Sequence, residues 1–415
     1  MLRIFFAWCQ SPHRMLVVIL LAIFPLGVLA EDGKTPFEVF SDLMQLGQAS
    51  LSEGDPKQGE AYFSQALRLA PGSLRAQLSL AEAFARQKQV RRAEAYLRHL
   101  LLDPARRANS AAYLAAIRIL QDRYPVTGAG SFAILPSTNV ANASSSPYFD
   151  TLLGRFTIEN GGNAVSGIGV EVSGQGSYRF ALDDGLSLEL GGAVSHTWYD
   201  APELRLWQGR VTVDIRRLTP VGESRVGLHY DRTFYPDIAR SSPDRTATGV
   251  HGSWSWVLDA RNRIAVYGLT EFRDYLNRPS FTGPFGKVGL NWSRRIGDSG
   301  TLTLGASVER LRPRLDYHRY WGGDLRAGYE QNLTRTLRGG LSMRASFRQY
   351  DTDFAAVNFS RKDVVYRPGL SLSDSRIKVM GGTPKLSCEY QIQNSNIALY
   401  TMSSVNCRIG WSYRF

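Results

Sequence analysis

Few residues of this chain have the types and spacing that catalysis needs. His229 and His251 fall on the polar side of two neighbouring alternating segments, and Asp231 shares that side with His229. A histidine and an acid near a serine could serve hydrolysis, but a satisfied polar network accounts for them better. The sequence contains no HExxH, paired CxxC or GxxxxGKS/T motif. We therefore predict that the chain is not an enzyme and uses no cofactor.

A larger set of charged residues lies on the polar side of such segments. Side chains repeat every two residues along a strand, so these charges would share one face of a sheet. Rings of fixed charge tune what passes a pore, although charges of both signs also neutralise one another in a solvated interior. The residues selected as candidates for lining a lumen are Arg210, Asp214, Arg326, Arg344, Arg348 and Arg408.

Two cysteines near the carboxyl terminus could form a disulfide bond. Cys388 and Cys407 both fall on the apolar side of the last two segments, and a hairpin turning near Ile397 would bring them nearly opposite each other. An oxidising compartment would allow the bond. Two free thiols that act as small apolar side chains explain the same positions equally well.

The segments that would hold these residues are short strands. The last of them, Ser404–Phe415, alternates between apolar and polar side chains and stops on an aromatic residue. About 14 such segments follow Tyr124, at roughly 20 residues per strand and turn, and bacterial single-chain membrane barrels have an even number of strands. We therefore predict a 14-stranded antiparallel transmembrane β-barrel. Aromatic girdles are expected from residues near the strand ends, including Trp198, Tyr199, Tyr275, Trp321 and Tyr350.

The first part of the chain has a different composition. Basic residues precede the apolar run Met15–Leu29, and small residues follow it, so residues 1–30 are predicted to be a secretory signal peptide. Residues 31–125 favour helix. Glu60–Phe63 returns as Glu94–Leu97 after 34 residues, the period of tetratricopeptide repeats. We predict a short periplasmic helical-repeat domain before a barrel over residues 126–415. Such a domain binds peptides or proteins, or serves only as a spacer or cap.

The formal net charge of +12 indicates which classes of partner the chain could bind. The basic residues are dispersed among strands instead of following one helix face, so we expect no nucleic-acid partner. Contacts with anionic head groups of outer-membrane lipids are a consistent explanation.

Together these features resemble the surface lipoprotein assembly modulators, or Slam proteins, of Gram-negative bacteria. Four local patterns carry the resemblance: residues 136–143 (PSTNVANA), 361–363 (RKD), 382–386 (GTPKL) and 394–400 (NSNIALY). Their order along the barrel is more specific than any one of them. The positions selected from these patterns are Asn139, Asn142, Pro384, Ser395, Asn396 and Tyr400.

The resemblance implies a translocator in the cell outer membrane with its helical domain in the periplasm. Its cargo would be a surface lipoprotein or a secreted haem-binding protein for metal acquisition. Further candidate partners are the barrel-assembly machinery and periplasmic chaperones. Helical repeats joined to an outer-membrane barrel also resemble exopolysaccharide exporters, and a general diffusion porin is a third hypothesis.

Overall fold

The computed structural model describes residues 35–157, 164–238, 242–355, 357–379 and 382–414. The predicted signal peptide and the terminal Phe415 lie outside the described residues. Within them, a set of helices precedes a closed antiparallel barrel of 14 strands. The predicted fold class is confirmed.

The helices form a repeated hairpin with a small apolar core. Gly47 is required because a Cβ at this position would collide with the ring of Phe63, which is fully buried. The next repeat places Ala81 and Leu97 in the same core. Among the described residues, none of the helices is long and apolar enough to cross a membrane. The helices are α1 (Pro36–Ser52), α2 (Pro56–Leu69), α3 (Leu74–Arg86), α4 (Val90–Leu101) and α5 (Ser110–Arg123).

The barrel is closed by pairing of its first strand with its last. Every other neighbour in the barrel is the next barrel strand along the chain, so the topology is an up-and-down meander. The barrel strands are β1 (Val126–Ser137), β4 (Gly167–Asp183), β5 (Leu186–Trp198), β6 (Leu206–Thr219), β7 (Gly222–Phe234), β8 (Arg245–Val257), β9 (Asn262–Tyr275), β10 (Gly283–Ile296), β11 (Gly300–Leu311), β12 (Tyr320–Asn332), β13 (Leu337–Asp353), β14 (Ser360–Asp374), β15 (Lys385–Ser395) and β16 (Met402–Arg414). A separate hairpin is formed by β2 (Tyr148–Thr151) and β3 (Gly154–Thr157).

The alternation of the strands separates an apolar outer face from a polar lumen. Leu325 and Leu341 on the outside are 61% and 68% exposed, as expected for side chains that meet lipid. Trp198 and Trp321 are also exposed.

Three tyrosines depart from the predicted girdles. Tyr350 is buried on the inner face, and Tyr199 lies over the backbone of Gly169. Tyr275 contacts Phe281 beside the next loop. These rings fill space inside or above the barrel, which alternation near a strand end does not reveal.

The two rims differ in the length of their connections. Short turns such as that between Asp183 and Leu186 lie at the rim covered by α4 and α5, which we call the helical rim. Longer loops lie at the opposite rim, called the loop rim. Membrane barrels have short periplasmic turns and longer extracellular loops, so the helical rim is periplasmic.

Candidate functional site

The lumen next to the helical rim contains a connected set of ion pairs. Arg216 lies between Glu189 and Glu223, at 2.6 and 2.5 Å. Arg225 continues the set at 3.7 Å from both Glu189 and Asp214. Each charge therefore has a partner of opposite sign on a neighbouring strand.

Helix α4 extends this network from above. Arg91, Glu94 and Arg98 are spaced three and four residues apart, so they lie on one face of the helix. Arg91 donates to the carbonyl oxygen of Gly128 on β1 at 2.7 Å. Arg98 lies 3.2 Å from Glu223 on β7. We call Arg91, Glu94 and Arg98 the helical plug, because they join α4 to the inner wall of the barrel at this rim.

Glu94 makes the most buried contact of the helical plug. Both of its carboxylate oxygens accept from Arg179 on β4, at 2.8 and 2.9 Å. Glu94 and Arg179 are only 9% and 5% exposed. Burial opposes ionisation of Glu94, but the hydrogen bond and charge of Arg179, helped by Arg98, outweigh it and lower the pKa of that carboxyl. The carboxylate is thus held in its charged form.

Apolar contacts fix the helices on the rim. Leu218, at the end of β6, belongs to the apolar core of the helices. Gly185 has a φ of 78°, and a Cβ there would collide with the carbonyl oxygen of Leu218 and also meet Leu114 of α5, so a glycine is needed at this turn. Arg118 adds contacts of 3.6 and 3.7 Å to Asp183 and Asp184. Charge and packing together hold the helices against this rim of the barrel.

Arg210 and Asp214, two of the residues selected from the sequence, line cavities in this half of the lumen. Arg210 makes two bonds of 2.6 Å to Asp231. Asp214 is 1% exposed and accepts from His251 at 2.7 Å.

The opposite wall carries more positive than negative charge. Lys287 contacts Glu309 and Asp324 at 2.9 and 2.7 Å. Two carboxylates therefore serve four cations, so these six residues together carry an excess of positive charge. The three selected arginines contact these carboxylates as follows: Arg326 and Arg344 lie 3.6 and 3.7 Å from Asp324, and Arg348 lies 3.5 Å from Glu309.

Arg408 crosses the closing seam of the barrel. It donates from β16 to Glu171 on β4 at 2.8 Å, although β1 lies between those two strands. Ala133 on β1 pairs with both Gly410 and Glu171, and its short side chain leaves the space that the guanidinium needs. A cavity of about 780 Å³ borders Arg408 and its neighbours.

Asn139 organises the loop that follows β1. Its side-chain amide donates to the carbonyl oxygen of Ala143 at 2.9 Å and accepts from the Ala143 amide at 2.9 Å. Asn142 has a positive φ of 52°, a conformation that asparagine tolerates better than most residues. The fold of this loop brings Ser145 to Thr401, where the amide of Ser145 donates to the Thr401 carbonyl at 2.8 Å. The first loop thereby fastens the last hairpin at the seam.

The last hairpin contains the other selected positions. Asn396 accepts from the amide of Lys362 at 2.7 Å and donates to the carbonyl of Ser360 at 2.8 Å. Ser395 accepts from the amide of Ile397 at 3.2 Å. These bonds attach the hairpin tip to the start of β14. Pro384 immediately precedes β15.

Cys388 and Cys407 form a disulfide bond between β15 and β16. They are direct cross-strand partners, with Cα atoms 4.1 Å apart. Val405 and Ile409, which share the face of Cys407, are exposed on the outside of the barrel. The bond therefore lies on the lipid-facing side.

Aromatic rings gather at the loop rim. The guanidinium of Arg361 lies 3.2 Å from the centroid of the Tyr400 ring and 4.7 Å from that of Tyr350. Phe354 meets Tyr400 edge-on at 5.8 Å and Phe149, from the β2–β3 hairpin, at 6.3 Å. We call these five residues the aromatic cluster. Two of the sequence patterns, residues 361–363 and 394–400, meet in it.

The comparison with known families identifies the barrel. A model of the family described as surface lipoprotein assembly modifier matches residues 127–415, more than half of the chain. The chain belongs to the surface lipoprotein assembly modifier family. A tetratricopeptide repeat model also matches, over residues 50–117. The family recognised from sequence is confirmed, and with the closed barrel it locates the protein in the outer membrane and supports a role in surface lipoprotein assembly.

Other comparisons concern individual proteins. A search of curated proteins finds no match. Among solved structures, a FadL homologue of Pseudomonas aeruginosa is 11% identical, with 70% of this chain and 89% of that chain covered and a TM-score of 0.36. OmpF of Salmonella typhi, in complex with daunomycin, is 8% identical, with coverages of 70% and 97% and a TM-score of 0.40. An anion-selective porin from Comamonas acidovorans is 8% identical, with coverages of 70% and 98% and a TM-score of 0.38.

Sequence reasoning missed the helical plug. The spacing of Arg91, Glu94 and Arg98 was visible as a charged stripe on an amphipathic helix. A charged stripe usually faces water, and nothing local indicates that another domain covers it. The partner residue Arg179 offered a second signal, since it lies on the inner face of its strand close to a rim.

Proposed function

We propose that this family member delivers a lipoprotein across the outer membrane, and that the arriving substrate displaces the helical plug. The observation that carries the proposal is the buried contact between Glu94 and Arg179, which holds α4 on the barrel at the periplasmic rim and, in this proposal, keeps the mouth closed. A diffusion porin needs a standing open path, so this contact favours a gated translocator over a porin. A charged helix that closes the mouth would also explain why the helical-repeat domain contacts the barrel directly.

The cargo class that we propose is a surface lipoprotein first, with a soluble haem-binding or metal-binding protein as the second candidate. The wall with excess arginine does not match the acidic lumen expected of an exopolysaccharide exporter. Outer-membrane lipids, the barrel-assembly machinery and periplasmic chaperones stay in the proposal as further partners. We also propose no enzymatic step, because the hydrogen bonds recorded for His229 and His251 go to carboxylates and to each other.

The test is surface display of a lipoprotein encoded by a neighbouring gene. Coexpression with the wild-type chain should make that lipoprotein sensitive to protease added to intact cells. A Glu94→Cys/Arg179→Cys variant treated with a disulfide-containing thiol cross-linker, which spans the length of the two lost side chains, should lock the helical plug and block display, and reductant should restore it. Wild type with and without reductant is the control. A verified lipoprotein that stays protected beside a correctly folded wild-type barrel contradicts the proposal.

A plain porin makes a different prediction in the same system. It would conduct steadily in planar bilayers without any substrate protein. We expect wild type to be closed and the reduced double-cysteine variant, which lacks the Glu94–Arg179 contact, to conduct. Steady wild-type conductance would favour the porin hypothesis.

A further inference from the structure

Two histidines of the lumen face each other in a way that the proposed function does not use. His229 on β7 and His251 on β8 have their Nδ1 atoms 3.3 Å apart. The Nε2 atom of His229 lies 3.0 Å from Glu271, and that of His251 lies 2.7 Å from Asp214. His229, Glu271 and Asp214 are all buried. The four side chains form a chain from carboxylate to carboxylate through two imidazoles.

The hydrogen-bond requirements of this arrangement leave a gap between the rings. A carboxylate only accepts, so each Nε2 must carry the proton that it donates. In a neutral imidazole the other nitrogen is then an acceptor. The two Nδ1 lone pairs of His229 and His251 would therefore point at each other and repel, unless a positive group lies between them. A proton or a metal cation can fill this position.

The distance fits a metal cation. Tetrahedral zinc with Zn–N bonds of 2.0–2.1 Å separates two ligand nitrogens by about 3.3 Å. Histidine ligands of metals also commonly donate their second N–H to a carboxylate, which fixes the tautomer and the ring orientation. Glu271 and Asp214 already make that contact with the two rings.

The surroundings can complete the coordination. A cavity of about 490 Å³ is lined by His229 and His251, so water can reach the remaining positions. Imidazole donors favour zinc, copper and nickel over calcium or magnesium.

The charged groups around the pair are balanced. Asp214 has Arg225 at 3.7 Å, and Arg216 and Glu189 continue that network. The other acids are paired in the same way, because Arg273 contacts Glu271 at 2.6 Å and Arg210 contacts Asp231 at 2.6 Å. A dication would therefore enter a site of little net charge. We propose that His229 and His251 bind a transition-metal cation of the zinc type through their Nδ1 atoms, inside the barrel.

The experiment measures binding of Zn²⁺ alone to the purified, folded full-length chain after treatment with a chelator. Calorimetric titration near neutral pH should show one site per chain. His229→Gln and His251→Gln should each weaken the affinity about 10-fold or more, and Asp214→Asn should weaken it less. With Cu²⁺ as a second probe, electron paramagnetic resonance should report two imidazole nitrogens in wild type and one in each histidine variant.

His196→Gln is the matched control. His196 pairs with Trp207 on the outer face and stacks on it at 4.2 Å, so its loss should leave Zn²⁺ binding unchanged. Heat-modifiable migration of each variant on gels verifies that the barrel is folded. A folded wild type that binds no Zn²⁺ would mean that the pair holds only a proton, and the proposal would be wrong. Equal affinity in wild type and both histidine variants would overturn it as well.

Discussion

At the helical rim ion pairs join a helix to the barrel wall, whereas at the loop rim aromatic rings surround a single arginine. The helical plug depends on the buried pair of Glu94 and Arg179. The aromatic cluster distributes its contacts over several rings around Arg361. Removing one partner of a buried ion pair leaves an uncompensated charge, while each aromatic contact contributes a smaller amount. The comparison therefore indicates that the helical mouth is the one that a single event can open.

Glu94→Ala should have the largest effect on the difference between the helical rim and the loop rim. Arg179 would be left buried without its partner, at a cost of about 3–5 kcal/mol to the docking of the helices. We expect the variant to conduct in planar bilayers where wild type is closed. The control is Glu82→Ala on α3, whose pair with Arg86 is 45% and 42% exposed and should contribute little. Equal conductance of the two variants would contradict the assignment of the helical plug.

Acid should open the same mouth. The folded pKa of Glu94 is lowered from its ordinary value of 4.5, so its contribution is present above that value and is lost as pH falls through the lower folded pKa. Wild-type conductance should therefore rise as the pH falls below 4.5, relative to neutral pH. Glu94→Ala should conduct at both pH values. A wild type that stays closed in acid would show that packing around Leu218 suffices without the charge.

The disulfide tests a part of the wall remote from both mouths. Cys388 and Cys407 are 19 residues apart. Removal of a disulfide that closes a loop of this length lowers the free energy of unfolding by about 3 kcal/mol. A Cys388→Ser/Cys407→Ser variant should unfold at lower denaturant concentration but remain closed in bilayers. Wild type with reductant should match the variant, and the variant should not respond to reductant. Conductance from the variant would link this wall to gating.

Tyr400→Ala should have the smallest effect. It removes the ring under Arg361 and one edge-on contact with Phe354, a loss of about 1–2 kcal/mol in the free energy of unfolding. The control is Tyr148→Ala, since the ring of Tyr148 is 49% exposed and lies 5.6 Å from Arg155. Chemical denaturation of both variants measures the difference. If Tyr400→Ala alone opened the lumen, the conclusion that only the helical mouth opens by a single event would be wrong.

The barrel could be predicted because the alternation of side chains is visible within each strand separately. Alternation assigns Arg344 and Leu341 to opposite faces of a strand without any knowledge of the neighbours. The same alternation predicted that Cys388 and Cys407 share one face. It did not distinguish two free thiols from a disulfide bond. The repeat period similarly indicated paired helices, and Phe63 and Leu97 at equivalent positions lie in their common core.

Contacts between distant segments were not predictable in this way. Asn139 lies in a segment that reads as a polar connection, yet it is buried because its amide satisfies the backbone of its own loop. The hairpin Tyr148–Thr157 within the same connection was not predicted, and Gly154 turns it with a φ of 121°. The contact between Glu94 and Arg179 forms only because two domains meet. The periodicity of side chains within one segment does not reveal a contact of this kind.

The covalent link between β15 and β16 has a consequence for the route of a lipid-anchored substrate. Such a substrate would have to keep its acyl chains in the bilayer while its polypeptide passes, which requires a sideways exit through the wall. Strands joined by a disulfide cannot part, so that border is excluded as an exit. The neighbouring border of β16 with β1 has no such bond and is bridged by Arg408, Glu171 and the Asn139 loop. An oxidised periplasm would thus confine any sideways passage to other borders of the barrel.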